Sequence, residues 1–225
     1  MSRPSPALLP SPVVRSKTMH EDSPEYASRT FDDLLQSMSK GELDSILDNV
    51  IAGNGGMTVE EYREKKALNQ SLHEEGDAYR GLPPAEWPTL TFNWDFSPEG
   101  QRFGLDGVAR QKFQEMHPNG LRLGYMPLLT FDHRLAHFSR RDTPEELWSL
   151  GSEFKLAKTI AYLRRGFPIT PPIVAPTGSE VILKGGHHRY AIAKAVNLET
   201  IPFLVAPEEV KKIEGLVEVT WGMPA

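Results

Sequence analysis

The stretch from Val181 to Val205 constrains this chain more than any other. It reads as strand, double glycine, helix, strand. Val181-Ile182-Leu183 is a short apolar run suited to a strand, and it leads straight into Gly185-Gly186. A helix is expected from about His187 to Val196, with Asn197 ending it, and Ile201 to Val205 closes the unit as a final strand. Thr177-Gly178-Ser179 turns the chain just upstream, and Pro171-Pro172 opens a preceding strand at Ile173-Val174-Ala175.

The turn in the middle of this unit carries chemistry. Glycines between a strand and a helix let the backbone come close to a ligand. The first N–H groups of a helix have no internal partner, and together with the helix dipole they form an anion site. Arg189, in the first turn, offers a planar fork of donors to a phosphate. His187 and His188 can donate a hydrogen bond or take a proton near neutral pH. The bland alternative is a turn with a satisfied histidine and a surface arginine. A structural zinc site at the two histidines is disfavoured. Adjacent histidines at a helix start diverge, and the chain has no cysteine to complete a tetrahedral set.

Charge supports the same location. The net charge of −5 hides an uneven distribution. Residues 21–80 carry 14 acids and 6 bases, whereas 131–194 carry 10 bases and 6 acids with four of the seven histidines. A local excess of base attracts phosphate-bearing ligands, although a solvated mixed surface gives the same count. The absence of cysteine excludes disulfides and thiol catalysis and suits a reducing cytosol. No apolar run reaches the length of a membrane span, and Pro10 and Pro12 break the only apolar stretch near the start, so neither membrane insertion nor a signal peptide is expected.

The rest of the chain divides by composition. Residues 1–24, rich in Pro and Ser, are expected to be a disordered tail. Residues 25–80 form an acidic helical extension. Phe31, Leu34, Leu35 and Met38 recur at helical spacing, Leu43 to Ile51 continue the pattern, and Gly53-Asn54-Gly55-Gly56 stops it. Thr58 with Glu61 fits a capping box for a second helix over Val59 to about Glu74. These helices either pack on the main domain or serve as a partner-binding arm. Residues 81–225 hold the main domain, led in by Trp87, Phe92, Trp94 and Phe96, which suit a core better than a base-stacking surface. Strands are expected at Thr89 to Phe96 and Leu121 to Phe131, with a helix over Leu105 to Met116 between them. Thr143-Pro144-Glu145-Glu146 is expected to start a helix, and a helix with Phe154, Leu156, Ala157, Ile160 and Leu163 on its apolar positions is expected to end at Arg164-Arg165-Gly166. A short helix over Glu208 to Ile213 is expected last.

Lys184-Gly-Gly-His-His-Arg-Tyr-Ala-Ile-Ala-Lys-Ala, followed by Ile201-Pro202, resembles the signature of the ParB/sulfiredoxin superfamily. The helix before Gly166 and the strand after Pro171-Pro172 fall where that family has its own, so the resemblance covers about 125–217. It implies an α+β fold, a small mixed sheet with packed helices, here preceded by the helical extension. It implies that Gly185, Gly186, His188 and Arg189 bind the phosphates of ATP or another purine nucleotide. The reductase branch has cysteine where this chain has His187, so sulfinic acid reduction is not expected. The partition-protein branch adds a DNA-reading domain, for which the residues up to Ala225 leave no room. A short domain with an N-terminal extension is similar to the plasmid fertility inhibition factors, which implies ATPase and DNase activity. It also implies a bacterial cytoplasmic protein that acts on conjugative or type IV secretion transfer, with DNA or a secretion coupling component as partners. Serine-type kinases share the fold but carry an aspartate where Gly185 stands. A non-catalytic interaction protein of the same fold is the other alternative.

Phosphoryl chemistry needs further groups: Mg2+ to neutralise charge, and a carboxylate to hold it or to activate water. The loop expected after the strand at Leu121 to Phe131 offers Asp132 as base or metal ligand and Arg134 as a phosphate contact. Glu153 is a second candidate metal ligand, and His187 the candidate acid/base. A turn cap for Asp132 and a helix-start charge for Glu153 are the structural alternatives.

Overall fold

The structure is a computed structural model and describes residues 38–149 and 151–222. The segments read as a tail (1–24) and as the helical turn of Phe31, Leu34 and Leu35 lie outside the described residues. The chain divides into two units at Leu47/Asp48. Of the first unit, residues 38–47 are described. They open helix α1 (Lys40–Asn54), whose start is capped reciprocally by Ser39 and Glu42. Everything that follows concerns the second unit.

Helix α2 (Val59–Asp77) begins where the sequence predicts. Thr58 Oγ1 accepts from the Glu61 amide at 3.1 Å, and the Glu61 carboxylate accepts from the Thr58 amide at 2.7 Å. This helix lies along α6 (Glu153–Arg164). Gly76 lets the two backbones meet, since a Cβ there would stand 2.9 Å from the Ala157 carbonyl carbon. The α2 helix is therefore packed on the main body.

The main sheet has five strands in the order β5-β4-β6-β2-β7: β2 (Arg122–Pro127), β4 (Ile173–Thr177), β5 (Glu180–Gly185), β6 (Thr200–Val205) and β7 (Thr220–Trp221). β4 and β5 form an antiparallel hairpin. Helix α7 (His187–Ala195) then carries the chain across to β6, which lies parallel to β4 and antiparallel to β2. A separate parallel ladder joins β1 (Asn93–Trp94) to β3 (Pro168–Ile169). The fold is thus α+β, with a small mixed sheet and packed helices. No helix among the described residues is long and apolar enough to cross a membrane.

The central strand β6 is covered on both faces, as a strand paired in parallel usually is. Its Ile201, Phe203 and Val205 pack with Phe131, Tyr190 and Ile213, while Leu204 packs with Ile173, Phe113 and Leu121 on the other side. Each such fully buried side chain contributes about 1.5–3 kcal/mol. A second core between α6 and α7 joins Leu156, Ile160 and Leu163 to Ala191 and Ile192, with Trp87 against it. The lead-in aromatics therefore pack: Phe92 lies 5.3 Å from Trp94, and Phe96 lies 6.0 Å from Tyr125.

Four boundaries differ from expectation, each for a local reason. The run from Leu121 ends as a strand at Pro127 and continues as helix α4 (Leu128–Arg134). The helix expected from Leu105 begins only at α3 (Arg110–Met116), because Asp106 and Gly107 take positive φ after a 3-10 helix over Gly100–Leu105. The strand expected over Thr89 to Phe96 is only the two residues of β1, because its partner β3 pairs only at Pro168 and Ile169. Between α5 (Pro144–Ser149) and α6, Gly151 sits at φ 95° and Ser152 caps the second helix afresh. The last helix is a 3-10 turn over Pro207–Glu209 followed by α8 (Val210–Glu214).

Candidate functional site

β5 delivers the chain to Gly185, and Gly186 bends it into α7 from the left-handed region at φ 87°. Both glycines are required by crowding. A Cβ on Gly185 would stand 2.1 Å from the Gly104 carbonyl oxygen, and one on Gly186 would stand 2.8 Å from the Pro172 Cα. The closest approach at Gly185 is thus made by the 3-10 helix over Gly100–Leu105, not by open space for a ligand.

Beyond that contact the turn opens onto a cleft of about 1130 Å3. Gly186 gives α7 no side-chain cap, so the amides of His187, His188 and Arg189 have no partner within the helix. Tyr190 is the first residue of this turn to donate backward, to the Gly186 carbonyl at 3.0 Å. Five Lys or Arg side chains line the cleft against two aspartates. Arg189 and Lys184 come from the turn itself, Arg141 from the segment before α5, and Lys155 and Lys158 from one face of α6. The aspartates are Asp95 and Asp106, and Asp106 reaches Lys155 at 3.6 Å.

Arg189 is the decisive side chain. It is only 9% exposed. Its guanidinium donates to the Thr170 carbonyl at 2.5 Å and to the Gly104 carbonyl at 3.1 Å. Among the described residues no carboxylate comes within ion-pair distance of it. Burial lowers its pKa to about 10, which leaves it charged at neutral pH. Two neutral carbonyls satisfy hydrogen bonds but do not cancel a charge, and Asp106 offsets the effect of burial only in part, from beyond ion-pair distance. A buried cation without a counter-ion is costly, and an anion entering the cleft would relieve that cost.

The histidines respond to the same field. Burial, then Lys155 and Arg141, lowers the His188 pKa to about 4. Burial, then Arg141 and Arg189, lowers that of His187 as well. Both imidazoles are neutral near pH 7, so each can accept a proton or share a hydrogen bond with a ligand oxygen. A bound anion would favour their protonated forms and draw both values upward.

Gly185, Gly186, His187, His188 and Arg189 are therefore brought together at one cleft. Asp132, Arg134 and Glu153 stand apart from it. Because α4 follows β2 directly, Asp132 lies in a helical turn facing the other side of α7. There it accepts from the Tyr190 hydroxyl and from Lys194 Nζ at 2.9 Å. A buried acid held in this way braces the helix and is not offered to a metal or to water. Arg134 is exposed in the last turn of α4, where a cation complements the helix dipole. Glu153 is exposed at the first position of α6, where an acid does the same. None of the three lines the cleft. Among the described residues, no group of three or more His, Asp or Glu side chains is placed to hold a metal ion. Of the residues predicted to hold Mg2+, Asp132 is engaged by Tyr190 and Lys194 and Glu153 stands at the start of α6.

Sequence reasoning missed Lys155, Lys158, Arg141 and the Asp95 to Asp106 segment. The three-residue spacing of Lys155 and Lys158 on one helix was a usable signal. The 3-10 segment carries no period that would have marked it. Comparison of the chain with protein-family models, with curated proteins and with solved structures finds no match.

Proposed function

We propose that this chain is a nucleotide-binding protein of the ParB/sulfiredoxin type, holding the phosphates of ATP or another purine nucleotide at the start of α7. The observation that carries the reading is Arg189, a buried guanidinium with neutral acceptors and, among the described residues, no carboxylate within ion-pair distance, beside three helix-start amides in a cationic cleft. The order of the unit supports the fold assignment: hairpin, double glycine, helix, and a strand returning parallel beside the hairpin.

The activity that goes with the fertility inhibition factors is hydrolysis of a phosphoanhydride or phosphodiester bond, in the service of interference with plasmid transfer. In that reaction a water oxygen bonds to phosphorus, and the bridging oxygen leaves with its electron pair. His187, neutral near pH 7, takes the proton of the water. Mg2+ enters this reading only as the nucleotide's own counter-ion. A second reading, a binding protein without catalysis, is favoured by one observation: the carboxylate expected to activate water, Asp132, is engaged by Tyr190 and Lys194 away from the cleft.

A thermal-shift panel of ATP, ADP, CTP and GTP, with and without Mg2+, tests the binding claim. A nucleotide should raise the melting temperature by linkage, and Lys155→Ala with Lys184→Ala should shrink the rise. Absence of any shift with every nucleotide contradicts it. Release of phosphate from ATP, or cutting of DNA, that His187→Ala abolishes separates the enzyme from the binding protein.

A further inference from the structure

Two large apolar side chains line the same cleft as Arg189 and yet stay in water. Phe138 is 71% exposed and Phe103 is 42% exposed. A single exposed apolar residue needs no explanation. Two phenylalanines at the mouth of one cationic cleft do, because the neighbouring residues of each are firmly placed.

Phe138 sits in the 3-10 turn His137–Ser139. On one side of it, the Ala136 amide donates to the Val181 carbonyl at 2.8 Å, and Ala136 is buried. On the other, the buried Ser139 hydroxyl accepts from the Leu183 amide at 3.4 Å. The turn is pinned to β5 at both ends, and Phe138 is the residue left standing out. Phe103 belongs to the 3-10 helix over Gly100–Leu105, whose Gly104 carbonyl is held by Arg189. The Arg102 guanidinium lies over its ring, 4.1 Å from the centroid. Gly107 fits against its edge, where a Cβ would come within 3.3 Å. One face of the ring is thus occupied and its position fixed.

We infer that Phe138 and Phe103 form the ring-binding part of this cleft, so that its ligand joins a flat heteroaromatic base to its phosphates. This rests on the nucleotide reading and adds to it the side chains that take the base. A cationic helix start alone would accept a sugar phosphate, a phosphorylated amino acid or inorganic polyphosphate equally well. Rigidly presented aromatic faces beside it favour a ligand with a π-face of its own. The cleft volume, about 1130 Å3, leaves room for a base as well as for phosphates.

The test compares ATP with inorganic tripolyphosphate, which carries similar charge and no ring, by isothermal titration on the full chain. The parent should bind ATP about tenfold or more tightly than tripolyphosphate. Phe138→Ala should lower ATP affinity about fivefold or more and leave tripolyphosphate affinity unchanged. Phe138→Trp should restore ATP binding. Because Phe138 is exposed, its removal leaves the core intact, and a melting curve of each variant verifies this. Phe103→Ala should act in the same direction. If the parent binds tripolyphosphate as tightly as ATP, or if both alanine variants bind ATP like the parent, the inference is overturned while the phosphate site stands. If the parent binds neither probe, the nucleotide reading fails and this inference fails with it.

Discussion

Glu75 and Arg189 are both nearly buried charges, and the chain treats them in opposite ways. Glu75, on α2, has a side chain 14% exposed and meets Arg164 and Arg165 of α6, each at 2.7 Å. Its charge is cancelled twice over at a helix–helix seam. Arg189 is the more deeply buried, meets two carbonyl oxygens and, among the described residues, has no carboxylate within ion-pair distance, Asp106 acting on it only from further off. A cancelled charge belongs to the architecture. One only partly offset, facing a cleft lined by further cations, suits the binding of an anion. The comparison separates seam from site without reference to any relative.

The largest effect expected is at Arg189 itself. Arg189→Ala leaves the Thr170 and Gly104 carbonyls without their donor, and should cost about 4 kcal/mol of stability in chemical denaturation. It should also abolish nucleotide binding. A variant as stable as the parent would mean that the guanidinium holds nothing in place.

The next effect is the pH dependence of the empty cleft. The His188 pKa is lowered from 6.5 to about 4 in the folded chain. Between those values the unfolded chain binds the extra proton, so stability falls as pH drops from 6.5 toward 4. The loss amounts to about 3 kcal/mol at most. His188→Asn should flatten this slope, and melting curves across that range measure it. A parent whose stability does not change there would mean that His188 is neither buried nor pressed by Lys155 and Arg141.

Gly185→Ala should cost about 2–3 kcal/mol with no ligand present, since its Cβ would meet the Gly104 carbonyl. If it instead folded normally and lost only nucleotide affinity, the glycine would serve ligand access and not packing.

The smallest effect is at the seam. Glu75→Gln should cost about 1 kcal/mol, because its partners keep water and can share the amide oxygen. It should leave nucleotide binding unchanged, and titration of the same variant with ATP checks that. A change in affinity would join the seam to the cleft and undo the contrast.

How much of this was legible follows from where each signal is local. Gly185-Gly186, the helix from His187 and the strand to Val205 are punctuated by their own residues, so their bounds were readable in order. The capping box at Thr58 was readable for the same reason. Asp132 was misplaced because Leu121 to Phe131 is one apolar run, and an apolar run has no period that tells a strand from a buried helix. Pro127 ends the strand, α4 takes the rest, and the carboxylate turns toward Tyr190. Gly104 and Phe103 were invisible because their role depends on a contact made some eighty residues away, with Arg189. A tertiary contact of that kind leaves no mark on neighbouring sequence.

Five cations against two aspartates make the cleft a place for an anion. The most direct measurement is the titration of the His188 imidazole by NMR, with and without saturating ATP. An anion seated at the start of α7 should raise its pKa from about 4 by one unit or more. A His188 titration that ATP leaves where it was would mean that no phosphate sits beside Arg189.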